Sequence, residues 1–167
     1  CTGAIFTGLC PGQDYCCVPE TQRAENRGTF IRSERLDKIV RAVSVPRRQL
    51  SARTEALWPY INEALAGMDG LSCHCAAAFL AVIAAETDRF RLFEEKGSTA
   101  YFEGKAYGHR WKGRGAIHIT WEANYKSASD VLGYDYVANP ELLAFPAHAF
   151  KVSVHWWNKY NLAAQCA

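Results

Sequence analysis

Apolar residues recur at helical spacing in several stretches of the chain. Residues 33–44 put Leu36, Ile39, Val40 and Val43 on one face behind Ser33 as N-cap, and Pro46 stops that helix. A second helix is signalled by Ser51 with Glu55 nearby, then Leu57, Ile61 and Leu65, with Gly67 ending it. Residues 74–88 are apolar on nearly all sides, which predicts a helix running through the domain centre. Residues 122–132 and 146–160 predict two more helices, separated by the turn signal Asn139-Pro140. After the 74–88 helix comes a polar, Gly-containing stretch, 94–114, read as a loop with room for a hairpin. Gly115 to Thr120 alternates like a short strand. These elements predict an α+β fold, mainly α.

Composition narrows the picture. The 167 residues fit one domain with a small appendage, which divides the chain into a disulfide-rich segment, 1–30, and a body, 31–167. The seven cysteines are Cys1, Cys10, Cys16, Cys17, Cys73, Cys75 and Cys166. Four of them in the first 17 residues read as a disulfide knot, and so as a secreted, extracellular protein. The chain starts without an apolar leader, as expected after removal of a signal peptide. Its longest apolar run, Cys75 to Ala85, is 11 residues, short of the roughly 20 that a membrane span needs. Cys73-His74-Cys75 lacks the C-x2-4-C spacing and second pair of a structural zinc site, so neither a metal nor another cofactor is expected. The net charge of +2 is too small to predict nucleic acid as partner, though it is compatible with an anionic polymer. Five Trp, eight Tyr and eight Phe can fill a core or offer flat faces to sugar rings.

Glu86 is the main candidate for chemistry. It closes the run CAAAFLAVIAA and should emerge from the core at a helix C-terminus. Apolar surroundings and the negative end of the helix dipole would both favour the protonated carboxyl. A protonated carboxylic acid is what a glycosidase uses on its leaving oxygen. Nine residues on, Glu95 could hold a second, ionised carboxylate across a cleft and activate water; Asp88 and Glu103 compete for that role. Two basic groups accompany these acids: Arg41, Arg47, Arg48 and Arg53 upstream, and Lys105, Arg110, Lys112 and Arg114 beside the expected cleft.

The stretch Glu86-Thr-Asp-Arg-Phe90-Arg91-Leu-Phe-Glu-Glu95 resembles the H-E-[TS]-G-G-F segment of family 19 glycoside hydrolases, plant-type chitinases and related endolysins, whose second Glu stands nine positions after the first. Arg110 to Tyr125 resembles their [YF]-x-G-R-G-x-[IV]-Q-[LI]-[ST]-x-x-x-N-Y. Leu132-Gly133, Asn139-Pro-Glu-Leu-Leu143 and Phe150-Lys151 with Trp156-Trp157 resemble their later motifs, so the likeness covers about 75–160. It implies a lysozyme-like bilobal fold with a small β-element beside the catalytic cleft, and an inverting mechanism without cofactor. It assigns Glu86 as general acid, Glu95 as general base and Thr120 to the attacking water. Asn124 matches a residue that binds the N-acetyl sugar, and Arg114 one that supports the carboxylates. His118, Tyr125, Trp111 and Tyr101 complete the candidate substrate-binding set.

The chain departs from that pattern at Ala85 for His, Asp88-Arg89 for Gly-Gly and His118 for Gln. Gly8-Leu-Cys-Pro-Gly12 with Cys16-Cys17 also resembles a cysteine element of secreted fungal proteins, several attached to peptidoglycan hydrolases. Together with the basic cleft residues, these features predict a secreted, monomeric fungal muramidase acting on the β-1,4 bonds of peptidoglycan. A chitinase is the alternative, and a catalytically silent carbohydrate-binding protein on the same fold is a third reading.

Overall fold

The computed structural model describes residues 50–166, with side chains from Ala56 onward and that of Cys73 excepted. The expected helix 33–44, the 1–30 segment with its cysteine knot and fungal-type element, and the upstream arginines lie outside the described residues and side chains. Among the described residues the architecture is helical: α1 (Leu50–Ala66), α2 (Cys73–Glu86), a short α3 (Thr99–Glu103), α4 (Glu122–Leu132) and α5 (Pro146–Lys159). Two 3-10 turns, Pro140–Ala144 and Leu162–Gln165, flank α5.

Local chemistry sets these boundaries. Ser72 caps α2, its hydroxyl accepting from the Cys75 amide at 3.2 Å, and Ser98 caps α3 in the same way. Gly133 closes α4 in the left-handed conformation (φ 74°) that glycine takes without a Cβ penalty. Pro146 opens α5 at a position whose amide would have no helical partner.

Helix α5 forms the centre, packing on α1, α4 and both 3-10 turns. One face joins the first apolar cluster, in which Ile61 and Leu65 of α1 and Phe79, Leu80 and Ile83 of α2 surround Phe150, Val154 and Trp157. Its other side carries Val152 and Trp156 into a second cluster with Ile119, Tyr125, Ala128, Tyr136 and Leu143. The central helix is thus α5 rather than α2. Helix α2 buries the stripe Cys75, Phe79, Leu80 and Ile83, but Val82 is 41% exposed and Ala85 is also exposed, so one side opens outward near Glu86.

The expected strand over 115–120 does not form. The β-element reduces to two isolated antiparallel bridges, Glu94 with Arg114 and Arg114 with Ile119. Gly115 (φ 88°) and His118 (φ 49°) turn the chain so tightly that the Arg114 and Ile119 backbones bond each other. Alternating burial here comes from a reversal, not from a pleat. The stretch 94–114 holds helix α3 instead of a hairpin. Cys75 and Cys166 carry free thiols. Burial and the neighbouring Cys75 push the Cys166 thiol up to about 11. No helix among the described residues is long and apolar enough to cross a membrane.

Candidate active site

Glu86 is the last residue of α2, and the chain reverses directly after it. Thr87, fully buried, holds that reversal. Its hydroxyl donates to the Ile83 carbonyl and accepts from the Phe90 amide at 2.8 Å, and its carbonyl accepts from the Arg91 and Leu92 amides. Asp88, Arg89 and Phe90 all take left-handed φ values of 45°, 63° and 62°. Such conformations are uncommon outside glycine and are tolerated where surrounding bonds over-determine them. Asp88-Arg89 therefore occupy backbone positions suited to the glycine pair they replace, and Asp88 is engaged by the Arg91 guanidinium.

The reversal brings residues 92–95 back against 113–115. The Glu95 amide donates to the Gly113 carbonyl at 2.7 Å, and the Gly115 amide to the Phe93 carbonyl at 3.0 Å. The Glu95 carboxylate then collects three donors: the Gly113 amide (3.0 Å), the Tyr107 hydroxyl (2.9 Å) and the Tyr101 hydroxyl (3.3 Å). Burial pushes this carboxyl up, but those donors and nearby His118 outweigh it and hold Glu95 below the usual carboxylate range. Burial, reinforced by the Glu95 charge, pushes the Tyr107 phenol up to about 12, so it stays a donor. Of the rival carboxylates, Asp88 faces Arg91 and Glu103 sits exposed at the end of α3. Glu95 alone among these three receives the converging donors.

Glu86 stands opposite in character. Its side chain is 49% exposed, so the apolar enclosure expected around it is absent. The His118 ring approaches it, with Nδ1 4.0 Å from Glu86 Oε2. His118 Nε2 is 3.0 Å from the Leu92 carbonyl, which can only accept, so Nε2 carries the proton. In the neutral imidazole, Nδ1 is then left as an acceptor facing the Glu86 carboxyl.

Gly113 separates His118 from Glu95. A Cβ on it would lie 3.0 Å from His118 Cβ and 3.3 Å from both Glu95 Cβ and Oε2. Gly113→Ala is therefore expected to push the two side chains apart and lower kcat/KM at least about tenfold, because small misplacements of reacting groups are costly. Steady-state kinetics with a thermal melt would separate this from unfolding. For Tyr107→Phe the sign follows from the donor it removes. The ionised Glu95 loses a stabilising bond, its pKa rises, and the acidic limb of the pH–kcat/KM profile moves up. The site is partly exposed, so solvent moderates the shift without changing its direction.

The remaining candidates divide by burial. Thr120 and Asn124 meet at the start of α4, with Asn124 Nδ2 donating to the Thr120 carbonyl at 2.8 Å and leaving Oδ1 as its acceptor. Tyr101 is 44% exposed and available to a ligand. Tyr125 is not. It is fully buried, accepts from Arg114 at 3.0 Å and donates to the Lys112 carbonyl, with its phenol pushed up to about 12 chiefly by burial. It supports the floor without touching substrate. Trp111 packs edge-on against Tyr125 (5.2 Å) and carries the Arg110 guanidinium over its ring, so it too belongs largely to the second core cluster.

Arg114 is turned inward, onto a carboxylate. It is 5% exposed and binds Glu94 Oε1 at 2.8 Å, the Arg110 carbonyl and the Tyr125 hydroxyl, so it holds the neighbour of Glu95 from below rather than meeting substrate. Lys112 shares that Glu94, Arg110 donates to the Val137 carbonyl at 2.7 Å, and Lys105 lies over the Tyr101 ring. The expected basic cleft is thus mostly spent on internal bonds. Tyr107 and Gly113 bond the Glu95 carboxylate and Trp121 packs on Tyr107, contacts that neither spacing nor motif assigned to them in the sequence. Tyr107 sits in a polar stretch without periodicity, Gly113 is a motif glycine with no side chain to suggest a role, and Trp121 falls at an unassigned position of the motif.

Among the described residues no group of three or more His, Cys, Asp or Glu could hold a metal ion. In this lysozyme-like helical fold a half-exposed Glu at a helix end and a donor-held Glu both lie near His118. Among known proteins, residues 92–165 match the family described as chitinase class I, glycoside hydrolase family 19. The chain is family 19-like in motif order and in fold. An endochitinase of Arabidopsis thaliana is 34% identical over 89 residues, covering 50% of this chain and 32% of that protein. Chitinase 8 of Oryza sativa subsp. japonica is 30% identical over 101 residues, covering 54% and 39%. The crystal structure of chitinase C from Streptomyces griseus superposes with a TM-score of 0.53 at 28% identity, covering 80% of this chain and 68% of that one. A class IV family 19 chitinase from Zea mays has the same fold, with a TM-score of 0.56 at 23% identity over 81% and 74% of the two chains. The chain spans between 23% and 39% of the length of these and similar curated relatives.

Proposed function

We propose that this protein hydrolyses β-1,4 bonds in a polymer of N-acetylglucosamine by an inverting acid/base mechanism. The observation that carries the reading is the contrast between the two carboxyls: Glu95 fixed and ionised by three donors, Glu86 half-exposed on the other side of His118. Glu86 gives its proton to the glycosidic oxygen as the bond from C1 to that oxygen breaks. Glu95 takes a proton from water as the water oxygen bonds C1 from the opposite face. Thr120 steadies that water, and Asn124 meets the N-acetyl group. No cofactor is required.

The chitin-type substrate is preferred over peptidoglycan for two reasons. The relatives are named endochitinases. The basic residues that would have favoured an anionic wall polymer are paired internally, with Lys112 and Arg114 on Glu94 and Arg110 on a backbone carbonyl. The amino-terminal cysteines support action outside the cytoplasm. The test is reducing-end release from soluble chitin oligomers and from bacterial peptidoglycan, measured side by side. Preference for chitin oligomers supports the reading. Preference for peptidoglycan would restore the muramidase assignment, and release from neither would leave a binding protein.

A further inference from the structure

Trp121 stands immediately before α4 with φ 74° and ψ 137°. Side-chain-bearing residues rarely adopt that backbone, whereas glycine does so freely. Burial does not offset the strain, because Trp121 is 48% exposed. The turn itself is held by backbone bonds any residue could make: its amide donates to the Trp111 carbonyl at 3.1 Å, and its carbonyl accepts from the Asn124 amide at 3.0 Å. A large aromatic side chain is thus kept exposed at a costly position. Its location supplies a reason. The indole meets the Tyr107 ring edge-on at 5.8 Å, Tyr107 binds Glu95, and Thr120 is the preceding residue.

We propose that Trp121 is a sugar-stacking platform, its exposed indole carrying an N-acetylhexosamine ring of the substrate beside Glu95. The axial C–H groups of a pyranose suit the electron-rich face of an indole, and a flat ring with two torsions loses little freedom on binding. With Tyr101 and Tyr107, it extends an aromatic edge along the carboxylate that activates water. This inference rests on the glycan-hydrolysing reading above.

The test titrates a chitin hexamer by calorimetry into Glu86→Gln protein, so that binding is seen without turnover, with and without further change at position 121. Trp121→Gly should weaken binding at least about tenfold, as should Trp121→Leu, which keeps bulk but has no aromatic face. Trp121→Phe should retain most of the affinity. Because glycine relaxes the backbone, the Trp121→Gly melting temperature should equal or exceed the parent's. Affinity within twofold of the parent for Gly and Leu would overturn the platform. A melting temperature several degrees below the parent's would also overturn it, showing that Trp121 is a packing residue. If the Glu86→Gln parent itself bound no hexamer, the functional reading would fall and take this inference with it.

Discussion

Glu86→Gln is expected to cut kcat on a chitin oligomer by about three orders of magnitude and to leave the fold intact. General acid catalysis contributes roughly 10²–10⁴ in rate, and an amide of the same shape has no proton of comparable acidity to give. The side chain is 49% exposed and makes no close bond that the fold depends on, the His118 contact being 4.0 Å. Substitutions at such sites usually change stability by less than about 0.5 kcal/mol. KM should change little, since the loss falls on the transition state. Steady-state kinetics and a thermal melt on the same preparation check both halves. Activity within tenfold of the parent would remove Glu86 from the role of acid.

Glu95→Gln should be comparably damaging, with a loss of about 10²–10⁴ in kcat. The amide oxygen can still accept from the Gly113 amide while the amide NH2 donates to the tyrosine hydroxyl oxygens, so positioning largely survives while basicity is lost. The competing carboxylates offer no substitute. Asp88 is turned to Arg91 across a left-handed reversal, and Glu103 lies exposed at the end of α3, away from the donors that converge on Glu95. The pH profile provides a second readout. In the parent the base works above its depressed pKa and fails as pH falls through it. In Glu95→Gln that acidic limb should disappear from whatever activity remains. Persistence of the limb would assign it to another group.

Much of this arrangement was legible in the sequence, and the reasons it was not complete are physical. Helices α4 and α5 could be read from the sequence with Asn139-Pro140 as punctuation, because such features act locally. Glu86 and Glu95 could be paired through their spacing and the motifs around them. The apparent strand at 115–120 could not be separated from a turn, since Ala116 and Ile119 bury their side chains through the reversal at Gly115 and His118. Charge was the least legible property. Arg114 and Lys112 look like cleft cations in a linear reading, yet a carboxylate twenty positions away from the arginine absorbs them. The same limit hid Tyr107, whose importance lies in a bond to Glu95 across α3. It also hid Trp121, whose significance rests on a backbone angle no composition reveals.

The central claim is that Glu86 as acid and Glu95 as base act together from opposite faces of one sugar. Proton NMR of the anomeric region during early hydrolysis of a chitin oligomer tests it most directly. Newly formed reducing ends should appear first as the α-anomer, before mutarotation, from a β-linked substrate. Initial appearance of the β-anomer, or no cleavage by protein that binds the oligomer, would contradict it.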